Sequence, residues 1–297
     1  MPADISPLLL QLAGVSSHTA SLFRGEQEAF AHVLLQTYFS KTLEEGKNHF
    51  AFIGHFKKIP FYDELENAYI SLRRYDIEEV DDFAAEIFGP KTALVILAAA
   101  DPFTGRIYPL DPIIQQAKDA GVSIHIDAST AIQVEDYAFC QHAVDSLHFS
   151  FTRLQDAPIG SCLLHKSSSS LPDAPLGEDF LDQLKSAAKK AVENKDSRIL
   201  SFARKKQYLL QLLKKQGIEF AQNKSLADRL CLSFPKVYGE SLAFRLEGDS
   251  FLLQHHPTQV EEVGLQLEER LEKSDLEQIV ERLSQEIIAL LTMGKMD

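Results

Sequence analysis

Three polar side chains stand at or just after the ends of apolar runs, where they could do chemistry. Asp127 ends the run VSIHID, Ser150 ends SLHFS, and Arg153 follows three residues later. Because open α/β sheets bind ligands at the carboxyl ends of their strands, Asp127 is a candidate binding residue, although it could instead cap the following turn. A guanidinium binds carboxylates and phosphates well. Arg153 is therefore a candidate anion-binding residue.

The histidines and cysteines carry weaker signals. His255 and His256 could ligate a metal, but neither has an acidic or cysteine partner at a recognisable spacing, and no metal site is predicted. Cys140, Cys162 and Cys231 form no close pair. The last two lie in apolar runs and are expected in the core. Unpaired cysteines of this kind fit a reducing cytoplasm.

The elements that position these residues alternate along the first part of the chain. Apolar runs predict strands, and helical spacing of apolar residues predicts helices between them. The predicted strands are His49–Gly54, Thr92–Ala100, VSIHID and SLHFSF; the predicted helices are Gly25–Gly46, Ile59–Leu72, Val80–Gly89 and Asp111–Ala120. Strands alternating with helices indicate an α/β fold with a mostly parallel sheet.

The second part of the chain has a different pattern of predicted elements. After a polar loop at Ser167–Gly177, the stretch Glu178–Lys215 is charged and helix-rich, and it predicts a long helix between two domains. A small α/β unit follows, ending in two predicted helices, Thr258–Leu271 and Ser274–Leu291. We therefore predict a large domain over residues 1–195 and a small one over residues 196–297, with the N-terminal segment packing on the small domain.

Composition excludes several classes of function. The chain has 297 residues, a net charge of −13 and a pI of about 5.2, which argues against nucleic-acid or anionic-membrane partners. The apolar run near its middle, Ala93–Ala100, is far shorter than the ~20 residues that cross a bilayer. The apolar run near the N-terminus has no basic flank, so no signal peptide is predicted.

The segment from Ala93 to His165 resembles the class V aminotransferases, and the cysteine desulfurases in particular. That family has an Asn-Asn-Glu-x-Gly turn, a helix, a strand ending His-Val-Asp-Ala and a strand ending Ser-Phe-Ser-Gly-His-Lys. The matching pieces here are ALVILAAADPFTG, RIYPLDPIIQQAKDAG, VSIHIDAS, DSLHFSFTR and APIGSCLLH. The resemblance implies a pyridoxal-phosphate-transferase-like architecture of fold type I and a homodimer.

The resemblance also assigns positions to the cofactor. Asp127 would pair with the pyridinium nitrogen, and Ser150 would contact the phosphate. Thr130 stands where the family has a glutamine at the pyridoxal hydroxyl, and His55 is a candidate for the ring-stacking histidine, against the simpler view of a loop histidine. Arg153 falls on the lysine that forms the Schiff base. No lysine lies between Asp145 and Lys166, and a guanidinium cannot condense with an aldehyde.

Three further family features are missing. The stretch SKTLEEGKNHF, taken here as the counterpart of the Gly-rich phosphate loop, is acidic and has one glycine. The loop FLLQHHPTQ, expected to carry the nucleophilic cysteine, has none. The arginine expected near Gly264–Gln266 to bind the substrate carboxylate is absent as well.

These departures leave three hypotheses for function. The first is a cysteine-desulfurase-like pseudoenzyme that has lost pyridoxal-phosphate catalysis and binds a partner or ligand, for example a paralogous desulfurase or a sulfur-transfer protein. The second is an active class V enzyme with an atypical site. The third is a small-anion binder or non-pyridoxal enzyme that reuses the crevice. The resemblance directs Arg153 and Asp127 into this crevice, where they are expected to form an ion pair or an anion clamp. The first predicts no bound cofactor, with pyridoxal phosphate as the ancestral one.

Overall fold

Strand β4 (Thr92–Ala98), whose seven residues are all buried, lies inside the main sheet between β5 (Ile124–Asp127) and β2 (His49–Ile53). In the computed structural model, the described residues are 5–56, 58–132, 144–166, 176–249 and 251–293. They divide into two units, one of residues 1–100 and 108–194 and the other of residues 101–107 and 195–297.

The first unit holds a seven-stranded sheet in the order β1-β7-β6-β5-β4-β2-β3. Among these strands only β7 runs antiparallel to its neighbours β1 and β6, so the predicted mostly parallel sheet is confirmed. Its remaining elements are α1 (Ser6–Ala13), β1 (Thr19–Phe23), α2 (Glu28–Thr37), α3 (Tyr62–Asn67), β3 (Ser71–Tyr75), α4 (Ala84–Ile87), α5 (Leu110–Asp119), β6 (Ser146–Ser150) and β7 (Ser161–His165).

Helix α5 shows why the sequence folds this way. Its buried residues Leu110, Ile113, Ile114 and Ala117 recur at i, i+3, i+4 and i+7 and form one apolar face. The chain then turns at Gly121, whose φ of 66° is the left-handed conformation that favours glycine, and enters β5. The predicted helix and its end at this glycine match the structure.

The second unit holds a four-stranded antiparallel sheet in the order β10-β11-β9-β8. It begins within the long helix α6 (Glu178–Lys215), which starts in the first unit as the sequence predicted. Its other elements are β8 (Ala221–Asn223), β9 (Arg229–Ser233), α7 (Gly239–Arg245), β10 (Leu253–His255), β11 (Glu262–Gln266) and α8 (Lys273–Met293).

Residues 101–107 group with this second unit although they follow β4 in the chain. The Arg229 guanidinium donates from Nη1 to the carbonyl oxygens of Pro102 (2.8 Å) and Phe103 (2.6 Å). Gly264 on β11 has no side chain to keep Thr104 away, and a Cβ there would collide with the Thr104 backbone. The segment is therefore held on the small sheet, which the sequence did not predict.

Three sequence predictions were wrong. The predicted helix Ile59–Leu72 is the short α3 followed by strand β3, because the chain turns through Tyr69, with φ 60°, and pairs with β2. The predicted helix Thr258–Leu271 contains β11, which lies between β10 and β9. The N-terminal segment groups with the first unit, where α1 contacts β1, rather than with the small domain.

None of the helices in the described residues is both long enough and apolar enough to cross a membrane.

Gly160 tests how closely the backbone before β7 packs against Phe23 and Phe151. A Cβ at this position would lie 2.5 Å from the Phe23 carbonyl oxygen and 3.0 Å from the Phe151 ring. Gly160→Ala should therefore lower the free energy of unfolding by ~1–3 kcal/mol, as overpacking typically does. Gly177→Ala, where an added methyl meets nothing within 4 Å, should cost clearly less. Urea unfolding of both variants checks this, and equal costs would contradict the packing.

Candidate functional site

The carboxyl ends of β5 and β6 meet at one edge of the main sheet and bring Asp127 and Ser150 together. The backbone N–H of Ser129 donates to Asp127 Oδ1 (2.9 Å), and the Ser129 hydroxyl accepts from the N–H of Ser150 (3.3 Å). This edge is where open α/β sheets place ligands. The structure thus places two of the predicted site residues, Asp127 and Ser150, beside each other.

The Asp127 carboxylate contacts a buried histidine. His148 Nε2 lies 3.3 Å from Asp127 Oδ1, and the aspartate side chain is 23% exposed against 3% for the histidine. In the parallel pairing of β5 and β6, Asp127 stands directly beside His148. The carboxylate therefore has a buried partner that its own sheet supplies.

The same register extends this contact into a buried chain. His148 Nδ1 lies 2.8 Å from His125 Nε2, and His125 Nδ1 lies 2.8 Å from the Ser146 hydroxyl. Because alternate residues of a strand share a face, His125 and Asp127 on β5 meet Ser146 and His148 on β6. We call these four residues the Asp127 relay.

The relay has one consistent direction of hydrogen bonding. Asp127 can only accept, so His148 carries its proton on Nε2 and accepts on Nδ1 from His125 Nε2–H. His125 then accepts on Nδ1 from the Ser146 hydroxyl. Burial lowers the pKa of His148, against the raising effect of Asp127, and burial lowers the pKa of His125 well below its ordinary value. Both rings are therefore neutral, and each donor points toward the carboxylate.

Phe30 of α2 covers the relay. Its ring stacks on His148 with centroids 4.7 Å apart and on His125 at 5.9 Å. The planes of the two imidazole rings differ by 4°, and their centroids lie 5.0 Å apart. Because Phe30 is itself buried, the histidines are shielded from water on this face, which is the physical cause of their lowered pKa values.

Arg153 lies in a single helical turn (Phe151–Arg153) directly after β6 and is half-buried. Asp127 pairs with His148, and the expected ion pair between Arg153 and Asp127 stays a prediction. The Ser150 hydroxyl accepts from the Thr152 backbone N–H (3.3 Å) and lies 3.0 Å from the Thr152 hydroxyl. Ser150 thus caps this turn, the structural role that a strand-end hydroxyl often has.

His55 and Thr130 have partners of their own at this edge. His55 Nδ1 lies 3.2 Å from the Tyr108 hydroxyl, and its Nε2 lies 3.6 Å from Asp76. The Thr130 hydroxyl donates to the Ala100 carbonyl oxygen at 3.3 Å. Both residues follow strands that end at the same edge as Asp127, as the sequence implied, and both are held by the protein's own groups.

The predicted position of the phosphate loop was wrong. SKTLEEGKNHF starts in a π-helical turn (Tyr38–Leu43) that extends α2, passes Gly46 and runs into β2. It is thus the carboxyl end of a helix, whose dipole is negative and repels a phosphate. A helix amino end is available instead after β1, where residues 24–27 lead into α2.

That loop lies at the ligand edge but is acidic. The Ser161 hydroxyl, beside Ser150 in the β6–β7 pairing, donates to the Gly25 carbonyl oxygen (2.6 Å) and accepts from the Ala29 N–H (3.2 Å). The first turn of α2 carries Glu28, and Glu26 precedes it. Carboxylates here satisfy the positive end of the helix dipole, which an anionic ligand would otherwise occupy.

The remaining candidates are the cysteines and the two adjacent histidines. Cys162 and Cys231 are buried free thiols, and burial raises the pKa of each above its ordinary range, while Cys140 lies outside the described residues. His256 is buried, and its Nδ1 accepts from the Gln259 N–H at 2.8 Å. It therefore closes its own turn, and its neighbour His255 lies in β10.

Comparison of the sequence and the structure with known proteins gives similarities to the family that the sequence resembles. Residues 64–174 match the family model described as aminotransferase class-V. The chain is similar in structure to a "NifS-like protein" (15% identity, TM-score 0.70, covering 95% of this chain and 86% of that one). It is also similar to the ureidoglycine-glyoxylate aminotransferase of Bacillus subtilis (12%, TM-score 0.68, 96% and 84%). A third similar structure is SPT with its PLP internal aldimine (14%, TM-score 0.69, 97% and 77%). No curated protein matches this sequence.

These matches confirm the resemblance to the class V aminotransferases and the predicted fold of the pyridoxal-phosphate transferases. One of these similar structures, that of SPT, is described with pyridoxal phosphate as its internal aldimine. The donor set at the strand edge does not fit that cofactor in covalent form. Arg153 replaces the lysine, and the first turn of α2 presents carboxylates where a phosphate needs free amides.

The neutral histidines of the relay predict a pH dependence of stability. Their folded pKa values lie below the 6.5 of a free imidazole, so the unfolded state binds protons first as the pH falls. Their contribution is complete above that pH and is lost as the pH falls toward the folded values. The free energy of unfolding in urea should therefore be lower at about pH 5 than at about pH 7.5.

The double variant His125→Gln/His148→Gln separates the relay from the other histidines with lowered pKa values, which are His18, His32 and His49. It should be less stable than the parent at the higher pH and lose less stability between the two pH values. An identical loss in parent and variant would show that the relay histidines are not buried and neutral.

Proposed function

We propose that this chain is a cysteine-desulfurase-like protein that has lost pyridoxal-phosphate catalysis and acts by binding a partner or ligand. The observation that carries the proposal is Arg153. It lies in the turn that follows β6, three residues after Ser150, and the resemblance puts it on the family's Schiff-base lysine. A guanidinium stays protonated and is no nucleophile for the cofactor aldehyde.

The nearest downstream lysine cannot replace it. Lys166 follows β7, and its backbone N–H donates to the Asp145 carbonyl oxygen at the start of β6 (3.0 Å). Since β6 and β7 run antiparallel, this lysine lies at the opposite edge of the sheet from Ser150. The five residues of β6 alone span roughly 16 Å at ~3.3 Å per residue.

The relay adds a second argument. In an active site, a carboxylate at the end of β5 would be balanced by the positive charge of the bound ring. Here His148 is the hydrogen-bond partner of Asp127, and His125 and Ser146 complete the relay without any ligand. The site is thus stable as the chain alone builds it.

We extend the proposal to a homodimer in a reducing cytoplasm. The similarity to the class V fold supports the dimer, and the buried free thiols of Cys162 and Cys231 support the reducing compartment. An active class V enzyme with an atypical site, and an anion binder that uses Arg153, are the alternatives. The two experiments below test the active enzyme against the proposal.

The first experiment looks for the covalent cofactor. After incubation with pyridoxal phosphate and borohydride reduction, mass spectrometry should show no stoichiometric adduct on a single lysine. Arg153→Lys is the matched control, because it places a lysine at the family's position. It should also stay unmodified at that residue, since the acidic first turn of α2 disfavours the phosphate. A stoichiometric adduct in the parent chain would revive the active enzyme, and one confined to Arg153→Lys would show an intact phosphate site.

The second experiment tests desulfuration. No cysteine lies between Gly239 and Leu271, and the buried Cys231 thiol has a raised pKa because of burial and the nearby Glu262. A protonated thiol in the core is a poor nucleophile. Sulfide release from L-cysteine should therefore equal a control without protein. Turnover that disappears in Cys231→Ala would show that this thiol is the nucleophile after all.

A further inference from the structure

A groove of about 760 Å³ opens on the second unit. Its apolar part includes Phe103, Phe244, Leu246 and Leu252. It lies entirely within residues that group with this unit. Part of its lining comes from the loop FLLQHHPTQ, which has no cysteine. We call this surface the α7 groove, because α7 forms one wall.

One wall of the groove is formed by α7 and the turn that follows it. Glu240, Ala243 and Phe244 belong to α7, and Glu247 lies two residues beyond its end at Arg245. All four residues line the groove, so this wall has an apolar centre with one carboxylate on each side.

The apolar centre is uncovered in the single chain. Phe244 is 76% exposed and Leu252 is 48% exposed. Adjacent aromatic and aliphatic side chains left in water at a concave surface are typical of interaction sites.

The charged side chains that line the groove are all carboxylates. Its described lining contains the acids Glu240, Glu247, Asp249 and Glu268 and no lysine or arginine. Asp249 pairs with Arg282 (3.1 Å), and Glu268 pairs with Arg270 (2.5 Å).

Glu240 and Glu247 remain available. Among the described residues neither has an ion-pair partner. The one base of α7, Arg245, is directed to Glu286 on α8 (3.0 Å) rather than to the groove. The wall therefore offers two carboxylates that flank Phe244 and lack a cation.

We propose that the α7 groove binds a basic amphipathic helix of another protein. An apolar side chain of that helix packs on Phe244 and Leu252, and lysine or arginine residues on either side of it reach Glu240 and Glu247. The charge of the groove selects this occupant over an acidic or neutral segment. The inference rests on the proposed binding role and names the chemistry of the partner.

The probe is a synthetic amphipathic peptide of roughly 15 residues, with leucines at helical spacing on one face and lysines seven apart beside them. Fluorescence anisotropy of the labelled peptide against the full chain should show saturable binding that weakens as salt rises. A peptide with the lysines replaced by glutamates should bind at least about tenfold more weakly. Equal binding of the two peptides would overturn the proposal.

Variants locate the site. Glu240→Lys/Glu247→Lys and, separately, Phe244→Ala should each weaken binding by about tenfold or more. Glu219→Lys/Glu272→Lys changes the net charge by the same amount at exposed positions outside the groove and should leave binding unchanged. If the two charge-reversal variants weaken binding equally, the peptide senses only the overall charge, and the groove assignment is wrong.

A second copy of the chain is the competing occupant. Light scattering of the parent and of Phe244→Ala decides between them. An oligomer that dissociates in Phe244→Ala would assign the groove to self-association and overturn the proposal. A negative peptide result would leave the loss of pyridoxal-phosphate chemistry intact, because the adduct experiment does not involve the second unit.

Discussion

A half-buried carboxylate at the end of a parallel strand needs a counter-group, and the contact of Asp127 with His148 provides it. This contact exists only because β5 and β6 pair in the register that sets Asp127 beside His148 and His125 beside Ser146. A shift of one residue would turn these side chains to the opposite face. The register of two central strands and the charge state of the candidate site therefore depend on the same hydrogen bonds.

Under the proposed loss of pyridoxal-phosphate catalysis, the relay explains how the fold persists without a bound ring. Each member of the relay from Ser146 to Asp127 has a partner inside the protein. Phe30 covers the same face with aromatic packing. The contact with His148 means that an arginine in place of the lysine leaves no buried charge unpaired at Asp127.

The sequence predicted the parts of the fold that local pattern controls. The apolar run of β4, the periodic face of α5 and the long helix α6 are readable within a single segment, and Asp127 could be placed at a strand end for the same reason. β3 and β11 were missed because they are five-residue strands whose identity comes from their neighbours in the sheet.

The relay was missed for a related physical reason. Its members lie on two strands 21 and 23 residues apart in sequence, and only cross-strand pairing makes them neighbours. The alternation of polar residues in SIHID and SLHFS was the available signal. Nitrogen-15 NMR of histidine-labelled protein, with and without pyridoxal phosphate, tests the account most directly. We predict two neutral Nε2–H imidazoles for His125 and His148, with signals unchanged by the cofactor. A charged His148, or signals that shift as the cofactor saturates a site, would show that Asp127 still serves pyridoxal phosphate.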